Sequence, residues 1–143
     1  MQIIDTKTHG YIDYIMGTLL IAMAYFINFK SENIPNFVFY LVGALAIFYS
    51  LLTKYELGVI KIIPMYIHLM LDSLSGIFLA TSPWLLGFAD NVFLPHLLLG
   101  LFQIGITIMT SIKPKMVYKR KKYMNSSRTG YTKKQYSFNK QTR

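Results

Sequence analysis

The sequence predicts an all-α fold: a bundle of four transmembrane helices, built from two parallel copies of a helical hairpin and followed by a disordered basic tail. Three observations carry that prediction. Four long apolar stretches are separated by short links. Charge is absent from residues 37–53 and 92–112 and accumulates in residues 113–143. A rare polar pattern, His-x3-Asp-x3-Gly, occurs twice. A soluble domain of this size spreads its charge along the chain, so the distribution reads as two solvents written into one polypeptide.

Crossing a hydrocarbon core of roughly 30 Å takes about 20 helical residues. The first stretch, 9–29, and the fourth, 92–112, meet that length. The second, 37–53, is short and is expected to borrow residues at its ends. The third, 64–88, is long and contains Pro83, which predicts a kinked or unwound outer end. Hydrocarbon offers no partners to backbone N–H and C=O, so such spans must be helical. The ten-residue alternation of a membrane β-barrel is missing. The links 30–36, 54–63 and 89–91 are short, which makes consecutive helices antiparallel neighbours.

Orientation follows from Lys and Arg. Lys7, Lys54, Lys61 and the eleven basic residues of the tail fall on one side and Lys30 on the other, so both termini are expected in the cytoplasm. Tyr25, Phe26 and Phe29 at the end of the first span, and Trp84 and Phe88 at the end of the third, mark the outer interface. The chain has no Cys, which excludes disulfides, thiol catalysis and Cys-type zinc sites. Asp5 and the single Lys7 do not make a signal-peptide n-region, so the N-terminus is expected to stay in the mature protein.

With an offset of 59, His9, Asp13 and Gly17 fall on His68, Asp72 and Gly76, and Leu20 and Phe29 fall on Leu79 and Phe88. After a two-residue contraction, Leu41, Gly43, Ile47 and Thr53 fall on Leu98, Gly100, Ile104 and Thr110. Rare polar residues in one register point to duplication. The repeats are 9–53 and 68–112, inside a four-helix membrane domain of 1–112. Each unit has an even number of spans, so both insert the same way, related by a pseudo-two-fold along the membrane normal.

Residues 80–88 read Ala-Thr-Ser-Pro-Trp-Leu-Leu-Gly-Phe. Together with the duplicated His-x3-Asp-x3-Gly, this resembles the SPW repeat family of small bacterial integral membrane proteins. The resemblance covers residues 9–112. It implies a Ser82-Pro83-Trp84 motif in the first of two transmembrane helices per repeat, and a place in the bacterial cytoplasmic membrane. It implies no established activity. The first unit departs from the pattern, with Met23-Ala24-Tyr25 where Ser-Pro-Trp would stand.

Asp13 and Asp72 are the most informative residues. Each lies sixteen positions before its outer aromatic end, about 24 Å along the helix and so roughly 6 Å inside the inner face. An Asp at the centre of a span costs about 2.5–3.5 kcal/mol on insertion scales, less toward the interface, so both should face the bundle and find partners. His9 and His68 lie four residues earlier on the same face. Gly17 and Gly76 continue that stripe and admit another helix, as do Gly43 and Gly100. Gly43, Ala46, Ser50 and Thr53 line one face of the second helix, and Gly100, Gln103, Thr107 and Thr110 that of the fourth. Depth counting places Ser50 beside Asp13 and Thr107 beside Asp72, with hydroxyls donating to carboxylates. Two His and two Asp could ligate a divalent metal. An i,i+4 His–Asp pair also satisfies itself without an ion, so the expectation is polar glue between helices, with no metal and no cofactor. His96, the counterpart of Phe39, reads as a local hydrogen bonder, and Gln103 as packing that breaks the symmetry. Ser82 is expected to satisfy backbone freed by Pro83, and Trp84 to anchor the kink at the headgroups.

The tail has no acidic residue and cannot build a core. Lys113, Lys115, Lys119, Arg120, Lys121 and Lys122 begin it and suit an anionic inner leaflet, at about 1 kcal/mol each. A lipid bilayer is therefore the expected partner ahead of nucleic acid, with a homo-oligomer or another membrane protein left open. No nucleotide loop, nucleophile elbow or metalloprotease motif occurs, so no enzyme is expected. The reading is a structural or accessory membrane component. Its alternative is a transporter or channel-like component moving protons or a small solute through the His/Asp cluster.

Overall fold

The computed structural model describes residues 3–26 and 33–112, and the tail with its six named cations lies outside them. The described chain is all-helical: α1 (Thr6–Phe26), α2 (Asn33–Leu51), α3 (Met65–Leu85) and α4 (Leu94–Met109). The short second stretch does gain residues, since α2 begins four residues earlier than its apolar run. Prolines stand where a helix tolerates them. Pro64 caps α3 in extended backbone, Pro95 opens α4, and Pro35 lies in the first turn of α2.

Pro83 is the exception inside α3, and the helix runs only two residues past it. Proline leaves the carbonyl four residues back, that of Leu79, without its backbone donor. The Ser82 hydroxyl donates to that carbonyl at 2.8 Å. The helix then closes on Gly87, whose φ of 74° takes the left-handed conformation that glycine adopts without strain. The Phe88 N–H reaches back to the Pro83 carbonyl, and its ring is fully buried. Trp84 stays outward, half exposed, tilted against Phe93. The Ser-Pro-Trp motif is thus a helix stop with its own carbonyl repair. Ser82→Ala is expected to lower stability by about 1–3 kcal/mol, the cost of a buried acceptor left unmade, read by thermal unfolding.

α1 packs chiefly on α2 and α3 on α4. Both hairpins cross at paired glycines. A Cβ on Gly43 would stand 2.7 Å from the Gly17 carbonyl, and one on Gly100 would stand 2.6 Å from the Gly76 carbonyl and 2.5 Å from the Ala80 nitrogen. These neighbours are backbone and cannot swing aside. Gly100→Ala is expected to cost about 1–3 kcal/mol through overpacking. Gly105→Ala, on the same helix with nothing within 4 Å, should be neutral or slightly stabilising, and the pair can be compared by thermal unfolding.

The two repeats are stitched together by matching backbone bonds. Ile63 lies against Thr53, and Ile4 lies against Thr110, in isolated bridges. Lys54 N–H donates to Ile63 at 2.7 Å, and Ser111 N–H donates to Ile4 at 2.8 Å. Each of these contacts maps onto the other under the repeat offsets. The end of each hairpin therefore holds the start of the other. At the opposite end of the bundle Leu20, Leu79, Val38, Val42, Phe39 and Phe88 form an apolar core. There the repeat mates Phe39 and His96 stack at 4.0 Å.

The inward and outward faces differ in an unusual sense. Thr6, His9, Asp13, Ser50, Thr53, His68, Asp72, Ser82, His96, Thr107 and Thr110 are buried. Ile15, Leu19, Phe37, Phe48, Leu74, Ile77, Leu98, Leu101 and Ile108 are exposed. Among the described helices one, Asn33–Leu51, is long and apolar enough to cross a membrane by its own composition, and Leu94–Met109 is apolar but shorter. The four spans of unequal length read from the sequence reduce to one by that measure. The reason is local: α1 and α3 carry His, Asp, Gly and Ser or Thr inside a face-divided helix, which dilutes their mean hydropathy.

Candidate functional site

His9 and Asp13 on α1 meet His68 and Asp72 on α3 near the end of the bundle where Thr53 and Thr110 lie. All four are buried, with relative exposures of 1%, 8%, 0% and 2%. The strongest pairing is crossed. His9 Nε2 lies 3.0 Å from Asp72 Oδ2, and His68 Nε2 lies 3.0 Å from Asp13 Oδ2. The within-helix pairs expected from the i,i+4 spacing are present but longer, 3.4 Å for His9–Asp13 and 3.2 Å for His68–Asp72. The within-helix pairs are thus joined into one four-membered ring in which each imidazole Nε2 faces two carboxylates. The crossing brings α1 and α3 together, and the two rings meet edge to face at 5.4 Å.

The far side of each imidazole is fixed by a threonine. Thr110 Oγ1 is 3.0 Å from His9 Nδ1, and Thr53 Oγ1 is 3.0 Å from His68 Nδ1. Each hydroxyl has one proton, and each also lies 2.7 Å from the carbonyl four residues back, Ile106 or Tyr49. Two oxygens that close need the hydroxyl proton between them. The threonines therefore donate to backbone and accept from Nδ1–H. That assignment leaves both Nε2 atoms facing carboxylate oxygens.

The carboxylates have hydroxyl donors as well. Ser50 donates to Asp13 Oδ2 at 3.4 Å, at the depth its position predicts. Thr107 does not donate to Asp72. Its hydroxyl bonds the Gln103 carbonyl at 2.9 Å, the usual habit of a threonine inside a helix. Tyr49 donates to Asp72 Oδ1 instead, a residue outside the stripe of small polar positions read from the sequence. Gln103 donates to Ser75 Oγ at 2.6 Å and to the Asp72 carbonyl at 3.2 Å, joining α4 to α3. His96 stands apart, donating to the Pro35 carbonyl at 3.2 Å. Tyr55, from the α2–α3 link, is fully buried and stacks on His68 at 5.7 Å. Burial pushes its phenol above the ordinary value, and the neighbouring Tyr14 adds to the shift. A cavity of about 10 Å³, room for one water, touches His9, Asp13 and Asp72, with Gln103 and Thr107 on its wall.

The SPW repeat domain model matches residues 7–110, most of the chain and all four helices. The chain belongs to the SPW repeat family. No curated protein matches it, and no solved structure does. In this SPW repeat protein the signature tripeptide and the His/Asp ring lie in different parts of α3, the tripeptide in its last turns and the ring in its first half. The first repeat lacks the tripeptide and keeps the His and Asp, and its Tyr25, like Trp84, points outward and is mostly exposed.

Proposed function

We propose that this SPW repeat protein is a multi-pass protein of the bacterial cytoplasmic membrane, acting as a structural or accessory component, with both termini in the cytoplasm and 1–112 as its membrane domain. The observation that carries the reading is the inside-out distribution of side chains. Polar groups gather in one half of the bundle interior and large apolar groups cover its outside, which suits hydrocarbon as the surrounding solvent. Exposed apolar surface on this scale is foreign to soluble monomers.

The His/Asp ring supports the structural reading over transport. Its four members are buried and joined by His–Asp contacts of 3.0–3.4 Å, and the adjoining cavity has room for about one water. Its role is a latch between repeats. The basic residues from Lys113 onward would lie on the anionic inner leaflet. No enzymatic role enters this reading.

The test is reconstitution into liposomes carrying a pH gradient and an internal dye. Dissipation at the rate of protein-free vesicles is expected. A flux that scales with protein, and that Asp72→Asn abolishes without unfolding the protein, would transfer the ring to a proton or solute pathway. Reporter fusions at both ends should read cytoplasmic.

A further inference from the structure

We infer that the ring is a divalent metal site, in which His9, Asp13, His68 and Asp72 hold one Zn2+-class cation between the two repeats. The argument starts from the hydrogen-bond assignment. Both Thr hydroxyl protons are committed to backbone carbonyls, so both imidazoles carry their proton on Nδ1. An Nε2 without a second proton presents a lone pair to a carboxylate oxygen 3.0 Å away, buried from water, and such a contact needs positive charge. Two further protons, one on each imidazole, or one divalent cation shared by both pairs supply it, and the convergence of all four groups on one centre favours the cation.

The geometry fits a four-coordinate ion. Bonds of about 2.0–2.1 Å from Zn2+ to nitrogen and oxygen imply ligand-to-ligand edges of roughly 3.3 Å in a tetrahedron. With Asp13 Oδ2 and Asp72 Oδ2 as the carboxylate ligands, three His–Asp edges are 3.0, 3.0 and 3.2 Å, and one ligand atom from each residue lies within 4.8 Å of all the others. Two imidazoles and two carboxylates select a borderline transition metal over Mg2+ or Ca2+, which prefer an all-oxygen shell.

The surroundings are those of a metal centre. Ligating histidines donate their other N–H to a fixed acceptor, which Thr53 and Thr110 provide, and ligating carboxylates are themselves hydrogen-bonded, here by Ser50 and Tyr49. With four protein ligands the site is closed, which makes it structural and not catalytic. A small cavity with room for about one water adjoins His9, Asp13 and Asp72. The inference goes beyond the membrane reading and does not depend on it, because the ligands come from α1 and α3 whatever solvent surrounds them.

The experiment uses the full chain, purified through a tag without histidine from zinc-supplemented cells. Elemental analysis is expected to find about one equivalent of metal per chain. Stripping with a chelator and titrating with Co2+ should give intense visible bands of tetrahedral strength, saturating at one equivalent. Thr53→Val, which leaves all four ligands in place, should weaken Co2+ binding by about 10–100-fold. The Asp13→Asn/Asp72→Asn double variant should give no such bands. Wild-type protein that is folded by circular dichroism yet gives no bands, or only the weak bands of six-coordinate Co2+, overturns the site. Equal metal in wild type and the double variant overturns it as well. Proton flux in the liposome assay, by contrast, would overturn the structural reading and leave the metal result standing.

Discussion

Asp72→Ala is expected to remove about 3–5 kcal/mol of stability, the largest single-substitution effect in the described bundle. Asp72 Oδ2 serves both imidazoles, at 3.0 Å to His9 and 3.2 Å to His68, while its other oxygen accepts from Tyr49. Truncation strips three buried groups of one shared partner. It leaves two nitrogens and a phenol in an interior that can do little to rehydrate them, since the adjoining space has room for about one water. Asp13→Ala should be milder. Asp13 is 8% exposed against 2% for Asp72, and its hydroxyl donor sits at the longer distance of 3.4 Å. Thermal unfolding followed by circular dichroism reads both. In a double-mutant cycle, His9→Ala combined with Asp72→Ala should cost less than the two singles added, because the second truncation removes a group the first had already orphaned. Additive losses would show that the ring does not act as a unit.

The helices were legible from the length of the apolar stretches, and the duplication because it rests on rare residues in register. His9, Asp13 and Gly17 fall 59 positions before His68, Asp72 and Gly76, and the structure places all six on the inward faces. The Ser82 contact with Leu79 was legible for the same reason, since proline always frees the carbonyl four residues back. What sequence spacing could not give was pairing between helices. An i,i+4 rule names Asp13 as the partner of His9, but it is blind to a second helix arriving with the same pair in the same register. Two such pairs facing each other prefer crossed contacts, which is why 3.0 Å separates His9 from Asp72 and 3.4 Å separates it from Asp13. Thr53 and Thr110 were visible as stripe residues without a role. Their role comes from the backbone bridges to Ile63 and Ile4, contacts between segments that no helical periodicity describes. Tyr49 shows the opposite failure, a bulky residue turned inward where the pattern of small polar positions promised only hydroxyls of Ser and Thr.

Thr53→Val should cost about 1–3 kcal/mol and should change the tautomer of His68. Valine matches threonine in shape, so packing around this fully buried position is retained and the loss is one oxygen. That oxygen accepts the Nδ1 proton of His68 and hands its own to the Tyr49 carbonyl. The carbonyl loses little, being near the end of a helix, but Nδ1–H would be left facing a methyl group. The imidazole can escape by moving its proton to Nε2, where Asp13 Oδ2 waits at 3.0 Å. Nitrogen NMR of selectively labelled histidine is expected to show a protonated Nδ1 at His68 in the wild type and an unprotonated one in the variant. Thr53→Ser keeps the oxygen and should keep the wild-type spectrum. Thr110→Val should reproduce the effect on His9, because the second repeat supplies the same hydroxyl to the first repeat's imidazole. Each repeat therefore sets the proton of the other's histidine. A His68 spectrum unchanged by Thr53→Val would mean that the tautomer is fixed from the carboxylate side, and the lone-pair argument for positive charge in the ring would lose its footing.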